Sequence, residues 1–210
     1  YDRTTCRVGP PLMGIKLKLV NWEEGNYTIN DSPFPRGVLQ NPEKTAEDFY
    51  EEDGIRWFKT GDIGQMEADG VLKIIDRKKD LVKLSGGEYI SYGKVESILK
   101  TCPIVENICT YADPLKDYLF AIVIPDRIQL KERGIELEDL LKDASLGAKI
   151  SKEISEYGLK NGLVRFEAPG KILFVEDEWT ADNGLITAAF KIRRKQVFEM
   201  YKDSILELYK

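Results

Sequence analysis

Residues 14–20, Gly-Ile-Lys-Leu-Lys-Leu-Val, alternate apolar with basic side chains, the two-residue period of a strand with one face buried. A turn is predicted at Glu23-Glu24-Gly25-Asn26 and a loop at residues 30–37, where prolines interrupt any regular pattern. Residues 41–49 read as a short helix capped by Asn41, with Pro42 at its first position, where the missing N–H costs nothing. Two further strands, residues 57–60 and 64–67, flank Gly61-Asp62, and a third, residues 71–76, follows the turn Ala68-Asp69-Gly70. This first part of the chain is mainly β.

The charged run at residues 76–80 separates that region from a second half of mixed periodicity, and we read it as a junction between domains. Beyond it the pattern predicts a strand at 81–84, a Gly86-Gly87 turn, and a helix at 92–100 with Val95, Ile98 and Leu99 on one face. Apolar runs at 104–111 and 118–125 read as buried strands paired across residues 113–117. Helical periods recur at 128–133, 137–142 and 148–157, a strand at 171–175, and a last helix over 193–209. Strands in one sheet with helices on its faces make this half a small α+β domain.

Composition narrows the chemistry. The 210 residues, 42% hydrophobic, are enough for one large domain or two small ones, and no run of eighteen apolar residues offers a membrane span. Charge is mixed, 31 basic against 36 acidic residues for a net of −5, so no electrostatic footprint for nucleic acid stands out. Cys6, Cys102 and Cys109 lack the spacing of a disulfide framework or zinc site and fit a reducing compartment. The absence of histidine excludes Ser-His-Asp and Cys-His systems and histidine-ligated metal, leaving Lys, Arg, Asp, Glu and the backbone to act. The chain starts without Met inside an extended pattern, from which we expect it to begin partway through a longer protein.

Four segments could carry chemistry, and each has an ordinary structural reading when taken alone. Thr60-Gly61-Asp62 is a turn with a solvated carboxylate, or a carboxylate set to accept both hydroxyls of a ribose. Arg77, Lys78, Lys79 and Lys83 form a solvated linker, or a cationic cluster facing phosphates, with planar donors on Arg77 alone. Ser85-Gly86-Gly87-Glu88 is a plain turn, or one whose N–H groups meet an anion. Lys191, just ahead of a basic helix, is a surface lysine, or an ammonium that stabilises charge on a carboxylate and phosphate during acyl transfer.

Order and spacing change this picture. The run Trp57-Phe58-Lys59-Thr60-Gly61-Asp62, then Ile74-Ile75-Asp76-Arg77-Lys78-Lys79-Asp80-Leu81-Val82-Lys83, then Gly87-Glu88-Tyr89-Ile90 and Val95-Glu96, resembles the AMP-binding, adenylate-forming enzymes. The form of the second run, with Gly87-Glu88-Tyr89-Ile90-Ser91 and with Asn183-Gly184-Leu185 ahead of Phe190-Lys191, is similar to animal long-chain fatty-acid:CoA ligases. The resemblance spans essentially the whole chain. It implies an α+β fold in which residues 1–75 are the β-rich end of a large adenylation domain, 76–81 a hinge linker, and 82–210 a small mobile domain.

The resemblance also implies roles. Asp62 would accept the ribose hydroxyls, Arg77 would contact ribose and phosphate, and Ile74 would pack near the nucleotide. Lys79 falls where such enzymes place their hinge, Gly86, Gly87 and Glu88 in the loop brought to the thioester-forming site, and Lys191 at the lysine of the adenylation step. ATP, CoA and Mg2+ would be the cofactors, with the phosphate loop, the Thr-Glu motif and the magnesium ligands expected upstream, so that this piece is inactive by itself. Only Val38-Leu39-Gln40 stand where the resemblance implies a further strand and turn, from which the first β region is expected to be incomplete. The parent is expected at the cytosolic face of endoplasmic reticulum or mitochondrial membranes, associated through its amino-terminal region. Two alternatives stay open: a ligase for aryl or shorter acids, and a non-catalytic binding or regulatory product.

Overall fold

A computed structural model of the chain describes residues 7–9, 13–23, 26–32, 41–113 and 116–208. The chain divides into two compact units, residues 1–81 and 82–210.

The first unit is built on one antiparallel sheet. Its strands are β1 (Arg7–Gly9), β2 (Lys16–Glu23), β3 (Asn26–Ser32), β4 (Phe49–Glu52), β5 (Ile55–Met66) and β6 (Leu72–Arg77), in the order β1-β6-β5-β3-β2 with β4 also on β5. Helix α1 (Pro42–Asp48) interrupts them. It begins as the sequence predicts: the Lys44 amide donates to the Asn41 side chain at 2.9 Å, and Pro42 follows. It ends at Asp48, because Phe49 turns extended to enter β4 and meet Phe58, 4.9 Å between ring centroids. The loop predicted from Asn30 starts later, since Asn30, Asp31 and Ser32 are in β3, paired with β2; residues 24–25 and 33–40 lie outside the described residues.

Thr60-Gly61-Asp62 is not the loop between two strands that its composition predicts. One long strand, β5, runs through it and absorbs it as a bulge. Thr28 faces Ile63 while Asn30 faces Lys59, so a step of 30 − 28 = 2 on β3 is matched by 63 − 59 = 4 on β5. Gly61 takes the bend at φ +73, a conformation that costs glycine little. The linker expected over 76–81 is likewise regular: Asp76 and Arg77 finish β6, and Lys78–Asp80 form a 3-10 turn between extended flanks.

The hairpin of β7 (Leu81–Lys83), whose first residue ends the first unit, and β8 (Tyr89–Ser91) leads into helix α2 (Tyr92–Leu99), capped by the Ser91 hydroxyl, which accepts from the Lys94 amide at 3.0 Å. Strands β9 (Val105–Ala112), β10 (Leu119–Pro125) and β11 (Pro169–Phe174) form its sheet in the order β11-β10-β9, with β9 antiparallel and β11 parallel to β10. Helices α3 (Arg127–Glu132), α4 (Leu137–Lys142) and α5 (Ala144–Lys160) cross over between β10 and β11, and α6 (Arg194–Met200) and α7 (Lys202–Leu208) close the unit.

Every residue of β10 is buried, which is what an unbroken apolar run predicts for a central strand covered on both faces. Leu119, Ala121 and Val123 face a core with Val95, Leu99, Leu130, Leu140, Ile150 and Ile154; Phe120, Ile122 and Ile124 face another with Val175, Trp179, Val197 and Ile205. Two helices depart from the sequence pattern. Helix α5 starts four residues early because the Asp143 carboxylate caps it, accepting from the Ser145 and Leu146 amides at 2.8 and 3.2 Å. The last helix is two helices, broken at Tyr201. That ring is buried, its hydroxyl donating to Asp177 at 3.0 Å and accepting from the Trp179 indole at 3.2 Å, and its backbone leaves helical geometry.

Candidate functional site

In the first unit the β5–β6 register sets Asp62 directly across from Arg77. The Arg77 Nε lies 2.6 Å from Asp62 Oδ1, and the Asp62 carboxylate is half-buried with its side chain 21% exposed. The bulge shapes this carboxylate's surroundings: the Asp62 amide donates to the Thr60 hydroxyl at 3.0 Å, and Arg77 Nη1 reaches the Thr60 carbonyl at 3.4 Å. A carboxylate oxygen holds more than one acceptor site, so Asp62 can take hydroxyl donors while paired to a guanidinium. Asp62 and Arg77 are thus brought together. Ile74, half-buried and opposite Gly64, stands further along the ladder and is not part of that pair.

Lys79 is exposed in the middle of the 3-10 turn, two residues before the division between the units. Gly86, Gly87 and Glu88 make the exposed turn of the β7–β8 hairpin, with Gly87 at φ +94. A side chain at Gly86 would meet the Glu88 carboxylate, which folds back over it. The amides of this turn are partly committed: that of Gly87 donates to the Leu84 carbonyl at 3.0 Å and that of Ser85 to the Lys116 carbonyl at 3.1 Å. An anion nest made of all its N–H groups is therefore not what the turn offers.

Lys191 is exposed on a small hairpin closed by a bridge between Ile186 and Ile192. The Thr187 amide donates to the Lys191 carbonyl at 2.8 Å, the Lys191 amide to the Thr187 hydroxyl at 3.1 Å, and the Phe190 amide to the Thr187 carbonyl at 2.8 Å. Phe190 accepts φ +57 to make the turn, a cost tolerated only where neighbours fix the backbone. The lysine is therefore presented on a held backbone.

The sequence reading missed what anchors that hairpin. Arg194, the first residue of α6, pairs through Nη1 with Glu96 Oε1 and through Nη2 with Oε2 at 3.2 Å, and lies over the Tyr92 ring at 4.2 Å. Burial opposes its charge, and the Glu96 carboxylate overrides this and raises its pKa. Burial pushes the Tyr92 phenol and the Cys109 thiol beside it up to about 12 each. Glu96 and Arg194 stand 98 positions apart, and the sequence marked them only separately, Glu96 in the Val95-Glu96 motif on α2 and Arg194 within the basic start of α6. Cys102 and Cys109 are buried free thiols, and Cys6 lies outside the described residues. Among the described residues no cluster could hold a metal ion, so no step is assigned to magnesium here, and no helix is long and apolar enough to cross a membrane.

The fold is that of the adenylate-forming enzymes. It superimposes on the adenylation domain of the carboxylic acid reductase from Segniliparus rugosus, solved with AMP and a co-purified carboxylic acid, at TM-score 0.78 and 26% identity over 95% of this chain and 32% of that one. The corresponding domain of a carboxylate reductase from Mycobacterium chelonae matches at TM-score 0.78 and 27% identity, over 95% and 31%. Within that class the chain is a homologue of the long-chain acyl-CoA synthetases. It is 42% identical to long chain acyl-CoA synthetase 8 of Arabidopsis thaliana over 99% of its own length and 32% of the relative's. With long-chain-fatty-acid–CoA ligase 1 of Saccharomyces cerevisiae it shares 37% identity over 93% and 30%. The chain thus spans about a third of the length of these relatives. No family model matches it.

Proposed function

We propose that this chain works as part of a ligase that activates long-chain fatty acids. The acid's carboxylate oxygen attacks the α-phosphorus of ATP, diphosphate leaves, and an acyl-adenylate results; the thiolate of coenzyme A then attacks the acyl carbon and AMP leaves. The observation that carries the reading is the Asp62–Arg77 pair on its bulged strand, in a homologue of long-chain acyl-CoA synthetases. Asp62 accepts the ribose hydroxyls, Arg77 holds that carboxylate in place and adds a cationic donor for ribose and phosphate, and Ile74 lies beside the nucleotide. Lys191 supplies positive charge to the carboxylate and α-phosphate in the first step. The Gly86-Gly87-Glu88 turn enters for the second, with Lys79 absorbing the rotation of residues 82–210. Support for the division of labour is local: the lysine and the glycine turn occupy separate hairpins of the second unit, and Lys79 lies at the division between the units.

ATP, CoA and the fatty acid are the substrates on this reading, with Mg2+ held by parts of the parent that this chain does not span. The test is acyl-CoA and AMP formation by the purified full-length parent supplied with long-chain, short-chain and aryl acids. Long-chain acids should be used with the highest kcat/KM; preference for an aryl or short acid would replace the substrate class, and no adenylation of any acid would favour a binding or regulatory role. The parent is further proposed to act on the cytosolic face of endoplasmic reticulum or mitochondrial membranes. Protease protection of the parent inside sealed microsomes would contradict that placement.

A further inference from the structure

Strand β9 is an edge of the second unit's sheet, and an edge leaves main-chain donors and acceptors without a strand partner. At Thr110 side chains take that part. The Thr110 amide donates to Glu96 Oε1 at 2.7 Å and its hydroxyl to the same oxygen at 2.9 Å, while its carbonyl accepts from Arg194 Nη1 at 2.8 Å. Two residues on, the Ala112 amide donates to the Tyr92 hydroxyl at 3.0 Å. Arg194 Nη1 is also 3.5 Å from Cys109 Sγ, so both terminal nitrogens of its guanidinium are engaged.

Helix α6 has apolar anchors besides this ion pair. Val197 is fully buried, and Phe198 stacks on Tyr111 with 4.2 Å between centroids. A partly buried ion pair such as this returns little net stability against an apolar pair of the same volume, whereas a forked guanidinium–carboxylate contact fixes distance and direction. What is fixed here is the base of the Lys191 hairpin: the Arg193 amide donates to the Leu185 carbonyl at 2.8 Å, next to the bridge between Ile186 and Ile192. Position passes back along the chain from Arg194 on the sheet edge, through Arg193 and Ile192, to Lys191, whose carbonyl accepts from the Thr187 amide at the base of the turn.

We propose that Glu96 and Arg194 are positioning residues that seat the Lys191 hairpin on the edge of β9 and so set where its ammonium stands during acyl-adenylate formation. This rests on the role given to Lys191 above. The test is the double variant Glu96→Met/Arg194→Met in the full-length parent, with Arg194→Lys, which keeps the charge and loses the fork, as a second variant in case the double fails to fold. Hydrogen exchange at the Thr187 and Arg193 amides is expected to quicken about tenfold or more while the global unfolding midpoint of the double variant holds. Acyl-adenylate formation should fall about tenfold to a hundredfold in kcat with little change in KM for ATP, the scale for a misplaced catalytic group. Acyl transfer to CoA from supplied acyl-adenylate should be retained. Unchanged exchange and rate would overturn the proposal, and so would a lowered midpoint with both half-reactions depressed alike, which marks a merely structural pair. If Lys191→Ala itself left adenylation intact, the role of Lys191 would fail and the catalytic half of this proposal with it, while the exchange data would still decide whether the pair seats the hairpin.

Discussion

Asp62 and Arg77 meet at 2.6 Å across β5 and β6, so the loss of Arg77 leaves the half-buried Asp62 carboxylate without its guanidinium, whereas Arg77 itself stands exposed. On the proposed role, Asp62→Ala in the full-length parent removes the acceptor for the ribose hydroxyls. A hydrogen bond to a charged group contributes about 1.5–3 kcal/mol, so ATP affinity measured by titration calorimetry should weaken by about tenfold to a hundredfold. Unchanged affinity would remove Asp62 from the nucleotide site. Tyr92 and Cys109 give a prediction on pH. Burial raises both from ordinary values of 10.0 and 9.0 to about 12, so the folded chain keeps protons that the unfolded chain has released. Their contribution to stability is complete below pH 9 and lost as pH rises toward 12, at up to about 1.4 kcal/mol per pH unit per group. Urea unfolding across that range should show Cys109→Ala losing less stability than the unaltered chain; equal losses would contradict it. Residue by residue, the sequence exposed what is local. Asp62, Arg77 and Lys191 stand out by type and neighbours, but Glu96 and Arg194 become a pair only when the sheet brings α2 and α6 together.

Element boundaries followed the same rule. Helix α4 and strand β10 coincide closely with their sequence patterns because a local period and a covered face agree. Helix α5 outran its apolar period because the Asp143 cap acts upstream of it, and the bulge in β5 looked like a loop because glycine and aspartate favour both. Packing between α2 and α5 depends on Gly158, which is buried. A Cβ there would come within 2.8 Å of the Leu99 side chain and 2.7 Å of Leu163. Gly158→Ala sets a helix-propensity gain of up to about 1 kcal/mol against an overpacking cost of about 1–3 kcal/mol. Denaturant unfolding should show a net loss, up to about 2 kcal/mol once the full propensity gain is set against the packing cost; a gain would mean that both leucines move aside freely.

On the scale of the whole molecule, 210 residues match about a third of the relatives' length, and the roles proposed for their side chains concern only ribose, carboxylate and one phosphate. The purified chain alone is therefore expected to make no acyl-CoA from ATP, fatty acid and CoA, and measurable turnover would refute the assignment of the acid and triphosphate sites to the rest of the parent. Rotation about Lys79 is tested in the parent by Lys79→Pro, which fixes φ and removes an N–H and should depress acyl transfer more than adenylation. The central claim is that the lysine on the second unit's hairpin serves the first half-reaction alone. The direct measurement is fatty-acid-dependent ATP–diphosphate exchange by Lys191→Ala parent enzyme, set beside its rate of acyl transfer to CoA from supplied acyl-adenylate. A fall of about a hundredfold in exchange, the scale for losing one preorganised charge stabiliser, with transfer intact is the predicted result; equal damage to both steps, or exchange at the unaltered rate, would contradict it.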